Sequence, residues 1–239
     1  MSLPLVSCIM PTRNRREFVP KAIEYFLRQT YPNKELVIVD DVGADDIQDL
    51  LPQTLPRGAS TFSFRVHGPL TLGAKRNRCV EAANGSLIAH WDDDDWYGTE
   101  RLATQVAFMQ VDGAEVCGVD APLFYDLITG ASFCYRYRGP GRYLYSATLM
   151  YTRDYWARSP FPDMQVGAPT PFVCGPGRLD KAAIEHRENW YTGIAHAGNN
   201  SPKPFKASEF TRWDGDMEAR LGADWPFYQG LRDRMGVAA

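Results

Sequence analysis

Cysteine is sparse. Five stand in 239 residues, at positions 8, 79, 117, 134 and 174, with no C-x-x-C pair. That pattern gives neither a disulfide framework nor a zinc site, and it fits a reducing compartment. No apolar run approaches the roughly 18–20 residues that a membrane-spanning helix needs, and no basic-then-apolar leader pattern opens the sequence. The expectation is a soluble cytoplasmic protein, at most peripheral to a membrane. Charge of one sign is also lacking: 26 Lys and Arg against 29 Asp and Glu leave a net charge of −3. A protein held to nucleic acid mainly by phosphate neutralisation would be more basic. A glycine-rich loop ending in Lys-Ser/Thr is missing, as is a G-x-G-x-x-G after the first strand, which disfavours P-loop kinases and dinucleotide oxidoreductases.

What is present is a β–α rhythm. A hydrophobic content of 44% can fill a sizeable core, and one α/β domain over residues 1–239 is the expected organisation. Leu5 to Met10 reads as a buried strand closed by Pro11, followed by helical spacing from Glu17 to Gln29. Leu36 to Val39 and Phe62 to Val66 read as further strands, Thr71 to Ala83 as a helix, and Ser86 to Trp91 as a fourth strand. Such alternation predicts a mostly parallel sheet flanked by helices over residues 1–110. From residue 111 the pattern loosens into a smaller, more antiparallel half: a strand at Glu115 to Val119, then alternating aromatic segments on either side of Thr129-Gly130. The proline- and glycine-rich run 160–178 predicts an irregular loop over a cleft, and the aromatic tail after Lys203 is expected to pack back on the body.

The chemistry concentrates at strand ends. Trp91-Asp92-Asp93-Asp94-Asp95-Trp96 places four acids after an apolar strand, where they repel one another unless a cation neutralises them. Hard oxygen donors at this density suit Mg²⁺ or Mn²⁺ shared with substrate phosphates. Asp40-Asp41 ends a second strand and brings further carboxylates to the same sheet edge, where open α/β sheets bind ligands. Gly73-Ala74-Lys75-Arg76-Asn77-Arg78 opens a helix with cations, suited to an anionic ligand. Each of these runs read alone is equally a solvated turn, a cap or an exposed face.

Together, Pro11-Thr12-Arg13-Asn14-Arg15, the run Tyr31 to Asp41, Gly73 to Asn77 and Asn84 to Asp95 resemble the opening of family 2 glycosyltransferases with the GT-A fold. The likeness covers about the first 110 residues. It implies a Rossmann-like sheet, an inverting transfer from a nucleoside diphosphate sugar, with UDP-linked donors favoured, and a divalent metal, Mn²⁺ or Mg²⁺. By position, Thr12 falls beside the nucleobase, Asp41 reads the base ring with Asp40 next to it, and Arg76 lies near the nucleotide. Arg15, Asp92 and Asp93 join that nucleotide-sugar set. Asp94 matches the metal-binding end of the D-x-D motif, Asp95 is a further candidate, and His196 resembles a late family histidine that often completes the metal site.

One departure stands out. Relatives carry a Glu-Asp pair after the glycine at 167, the source of the catalytic base, whereas this chain has Ala168-Pro169. Neither accepts a proton. Asp163 is the nearest acidic substitute, with Asp180, Glu185 and Glu188 as less constrained alternatives. Three readings stay open: a working transferase acting on a glycan or lipid-linked saccharide, a non-catalytic sugar-nucleotide or glycan-binding descendant, and glycosylation of a nucleic-acid base. A nucleotidyltransferase would want a glycine-rich basic signature where Pro11-Thr12-Arg13-Asn14-Arg15 stands.

Overall fold

In a computed structural model, residues 3–41, 46–66, 68–110, 113–175, 177–186 and 189–235 are described. The first half runs β1 (Val6–Thr12), α1 (Val19–Leu27), β2 (Lys34–Asp41), β3 (Ala59–Val66), α2 (Leu72–Ala82), β4 (Leu87–His90), β5 (Trp96–Tyr97) and α3 (Arg101–Gln110). The second half continues with β6 (Val116–Val119), β7 (Leu123–Asp126), β8 (Ser132–Tyr135), β9 (Met150–Thr152), α4 (Arg153–Arg158) and α5 (Pro169–Cys174). It ends with β10 (Ala182–Glu185), β11 (Tyr191–Ala195), β12 (Phe210–Arg212), α6 (Met217–Leu221) and α7 (Trp225–Arg234).

Among the described residues, one sheet has the order β10-β6-β9-β4-β1-β2-β3 and is parallel except for β9. This is the expected mostly parallel α/β sheet. All seven residues of β1 and all eight of β2 are buried, as sheets covered on both faces require. Period-two alternation sorts their side chains: Leu36 and Ile38 join the core on the α1 side, Val37 and Val39 the core on the α2 side. The same alternation sends Asp40 and Asp41 to opposite faces. β1 extends beyond Met10 through Pro11 to Thr12, which pairs with Asp40. Proline is tolerated there because the strand is ending and little of the ladder is lost.

A second sheet, in the order β12-β8-β7-β11-β5, is antiparallel except for the parallel pair β7–β11. It corresponds to the smaller antiparallel region. The acidic turn links the two sheets, leaving β4 in the first and entering β5 in the second. Trp91, fully buried, fixes its start by donating its indole N–H to the Ala22 carbonyl of α1 at 3.0 Å and packing on Tyr97 at 4.3 Å. Arg101 lies 4.4 Å over Tyr97 and 5.1 Å over Trp91. These contacts bury the turn's flanks, and between them Asp92 and Asp94 stay partly exposed while Asp93 and Asp95 are buried.

The run 160–178, expected to be irregular, contains α5, which starts with Pro169 in its first turn. Proline fits there because its fixed φ suits a helix start and its missing N–H needs no partner. The tail does pack back: Tyr228 meets Tyr25 hydroxyl to hydroxyl at 2.9 Å, and Asp224 accepts from Arg28, Lys21 and the Trp96 indole.

Candidate active site

A cavity of about 540 Å³ opens at the ends of β1, β2 and β4 and reaches across the acidic turn to the second sheet. Of the residues singled out from the sequence, Thr12, Arg15, Asp41, Arg76 and Asp92 to Asp95 line it. Asp40, Asp163 and His196 do not line it.

Asp41, fully buried, accepts from Lys75 Nζ at 2.9 Å and from the Leu70 backbone N–H at 3.0 Å. Lys75 also donates to the Thr12 carbonyl at 3.3 Å, so α2 is tied to both strand ends. Nothing local in the sequence announces this pair, since Lys75 and Asp41 are 34 residues apart. Asp40 faces the other way and accepts from Arg65 Nε at 3.3 Å. Burial pushes its carboxyl upward, with the Arg65 hydrogen bond pulling back. The two adjacent acids therefore do not form one site.

The acidic turn divides its labour. Asp95 is buried and accepts from the Tyr191 hydroxyl at 2.7 Å and the Ile194 N–H at 2.9 Å, clasping the turn to β11. Burial, then the charges of Asp94 and Asp92, push its carboxyl well above the usual range. Asp93 accepts from the Thr12 hydroxyl at 2.5 Å, and burial followed by the Asp94 charge raises it to about 7. Burial is the largest influence on Asp94 and opposes its ionisation, but the interactions with His196 and Arg15 together outweigh it and hold this carboxyl below the usual range. Ionisation is thus favoured at Asp94 and disfavoured on both sides of it.

Asp94 Oδ2 accepts from His196 Nε2 and Asn199 Nδ2, each at 3.0 Å, and Arg15 stands 3.9 Å away. The Gly198 N–H donates to His196 Nδ1 at 3.2 Å, which leaves the ring proton on Nε2, facing Asp94. With Phe18 stacked on its ring at 4.7 Å, His196 sits behind Asp94 and orients it. Asn199 and Arg15 complete that support, and Arg15 also donates to the Gly198 carbonyl.

The side chains of Asp92 and Asp94 are 28% and 13% exposed. Two carboxylates open to a cavity fit a divalent ion that takes its other ligands from phosphate and water. Among the described residues, no group of three or more His, Cys, Asp and Glu converges as a complete metal cage. Arg76 donates to Asp92 at 3.3 Å, while its Nε and Nη1 are buried without a partner among the described residues.

Asp163, held as the substitute base, is exposed and accepts a hydrogen bond from Thr71, the N-cap residue of α2. The segment that does reach the cavity carries Gln165, Val166, Gly167, Pro169 and Thr170, with Ala168 buried between them. Among the described residues, the acids lining the cavity are Asp41 and Asp92 to Asp95. Asp180 and Glu185 lie outside it, and Glu188 falls outside the described residues.

The model of glycosyl transferase family 2 matches residues 7–166. A UDP-Glc:alpha-D-GlcNAc-diphosphoundecaprenol beta-1,3-glucosyltransferase of Escherichia coli, WfaP, is 28% identical over 110 residues, 46% of this chain and 43% of the relative. The chain spans less than half the length of the curated relatives it matches. Among solved structures, S. aureus TarS 1–349 in complex with UDP-GlcNAc aligns with a TM-score of 0.57 and 16% identity, over 82% of this chain and 60% of that one. The mannosyltransferase PcManGT from Pyrobaculum calidifontis, in complex with GDP-Man and Mn²⁺, aligns at 0.55 and 13% identity, over 81% and 57%. These similarities carry the GT-A fold.

Proposed function

Because this chain belongs to glycosyl transferase family 2, we propose that it transfers a sugar from a nucleoside diphosphate sugar, UDP-linked by preference, to an acceptor hydroxyl with inversion. The observation that carries this reading is the meeting of Asp41 with Lys75, and of Asp92 with Asp94, around one cavity at adjacent strand ends. On this reading Asp41 and Thr12 would read the base and ribose by hydrogen bonds. Asp94 would hold a divalent ion, with Asp92 beside it and His196 and Asn199 keeping its carboxylate in place. When bound, such an ion neutralises charge on the departing diphosphate, a contribution of several kcal/mol. Arg15 and Arg76 add positive charge around the same phosphates. A GT-A neighbour solved with Mn²⁺ and another solved with UDP-GlcNAc support both the metal and the donor class. WfaP, named for a diphosphoundecaprenol-linked acceptor, makes a lipid-linked saccharide the leading acceptor class.

One observation favours a second reading. The acceptor side of the cavity has Ala168-Pro169 where a base is wanted, and no carboxylate of that segment lines it. A general base is typically worth about 10²–10⁴ in rate, so transfer is expected to be slow, or the chain to bind its nucleotide sugar without turnover. Donor hydrolysis separates the two. Slow, Mn²⁺-stimulated release of UDP from a UDP-sugar supports a working transferase, whereas donor binding with no release supports a binding module.

A further inference from the structure

On the second-sheet side of the acidic turn, the cavity is walled by Phe124 of β7, Tyr143, Tyr145 and Lys203. We propose that this wall is the acceptor subsite, that it stacks a sugar ring, and that Lys203 reads an anionic substituent, phosphate or carboxylate, on that sugar. The inference rests on the transferase reading above and deepens it.

Lys203 differs from three of the four other cations of the cavity, Arg13 being the fourth and sharing its lack of an ion pair among the described residues. Arg15, Lys75 and Arg76 each face a carboxylate, Asp94, Asp41 and Asp92 respectively. Lys203 Nζ instead stands 5.5 Å from the ring centres of both Phe124 and Tyr145, with no ion pair among the described residues. Two ring faces attract an ammonium but replace only part of its hydration. A half-buried cation so placed gains most from an anion arriving in the cavity.

The aromatic part of the wall extends outward. Tyr143 stacks on Tyr137 with centres 4.6 Å apart and planes 13° apart, and Tyr137 is 38% exposed. A tyrosine in the core would not show that exposure. A flat face with a polar edge, running from cavity to surface, suits the C–H face of a sugar whose chain continues into solvent. Arg136 and Arg138, both exposed, flank Tyr137 in the sequence and add positive charge at the outer end.

The test uses the full chain saturated with UDP and MnCl₂, so that the nucleotide site is filled. Binding of methyl glucoside, methyl glucuronide and glucose 6-phosphate is titrated by saturation-transfer NMR. At least one anionic sugar should bind about tenfold or more tighter than the neutral one, and which one it is distinguishes carboxylate from phosphate. K203A should erase that preference while leaving UDP affinity within about twofold, and K203R should retain it. Y143A, checked by thermal melting to be folded, should weaken all three sugars alike. Equal binding of neutral and anionic sugars by the wild type would overturn the proposal. So would a K203A variant that loses UDP affinity instead, since Lys203 would then serve the donor diphosphate. Failure of UDP to bind the wild type would sink the donor reading separately, and the same titration without UDP would still score Lys203.

Discussion

Replacing Lys75 by methionine isolates one interaction that ties the donor side of the cavity together. Asp41 is fully buried, and among the described residues its polar partners are Lys75, in a 2.9 Å ion pair, and the Leu70 N–H at 3.0 Å. Removing the cation leaves a buried carboxylate with one neutral donor, a loss of about 3–5 kcal/mol when one partner of a buried pair is removed. For a chain of this size, each kcal/mol moves the melting temperature by roughly 2–4 °C. Lys75→Met should therefore lower Tm by roughly 6–20 °C in a calorimetric scan. Asp41→Leu combined with Lys75→Met removes both charges and should recover most of that loss, because a buried pair exchanged for apolar residues is often nearly neutral. The double variant should nonetheless bind UDP at least about tenfold more weakly. A Tm within about 2 °C of wild type for Lys75→Met, or a double variant as unstable as the sum of the singles, would refute the reasoning.

Other changes follow from the same contacts. Gly73→Ala should destabilise by about 1–3 kcal/mol, because a Cβ there would lie 2.0 Å from the Pro162 carbonyl oxygen; an unchanged melting curve would contradict this. Asp163→Ala should leave donor turnover within about threefold, as its carboxylate is exposed and bonded to Thr71 away from the cavity. A fall of about 10²-fold or more would restore Asp163 as the base. Burial raises the Asp224 carboxyl, but hydrogen bonds from Arg28, Lys21 and Trp96 outweigh it and hold the group below its ordinary value. With the folded value depressed, its stabilisation is present above the unfolded carboxylate range and lost as pH falls through the folded one. Asp224→Asn should flatten the acid limb of the Tm–pH curve, and an unchanged limb would count against it.

The first half was legible because its signals are local. Continuous apolar runs marked β1, β2 and β4, Thr71 marked the start of α2, and the four acids sat where a strand end delivers them. The second sheet was legible as two aromatic segments, but not in its pairing: β7 lies parallel to β11, about seventy residues on, and no local pattern encodes such a partner. Reading Asp40 and Asp41 as one pair at a strand end missed that β2 continues through both, so alternation separates them. The acidic run was read as Asp92 and Asp93 toward the nucleotide sugar and Asp94 and Asp95 toward a metal, not as buried and open members. Their division depends on partners distant in the chain, Thr12 for Asp93, His196 for Asp94 and Tyr191 for Asp95. Likewise Lys203, a lysine in a loop, became informative only through the rings beneath it.

The most direct measurement is the thermal shift produced by UDP with and without Mn²⁺ in the wild type and in Asp94→Asn, which keeps the shape of the side chain and removes its charge. At a ligand concentration of about 100 Kd, binding stabilises by about 2.7 kcal/mol. The wild type should show a shift with UDP that Mn²⁺ enlarges, and Asp94→Asn should lose the Mn²⁺-dependent part. A shift in the variant equal to that of the wild type with Mn²⁺, or no response to any nucleoside diphosphate in either protein, would contradict the assignment of this cavity to a metal-bound nucleotide sugar.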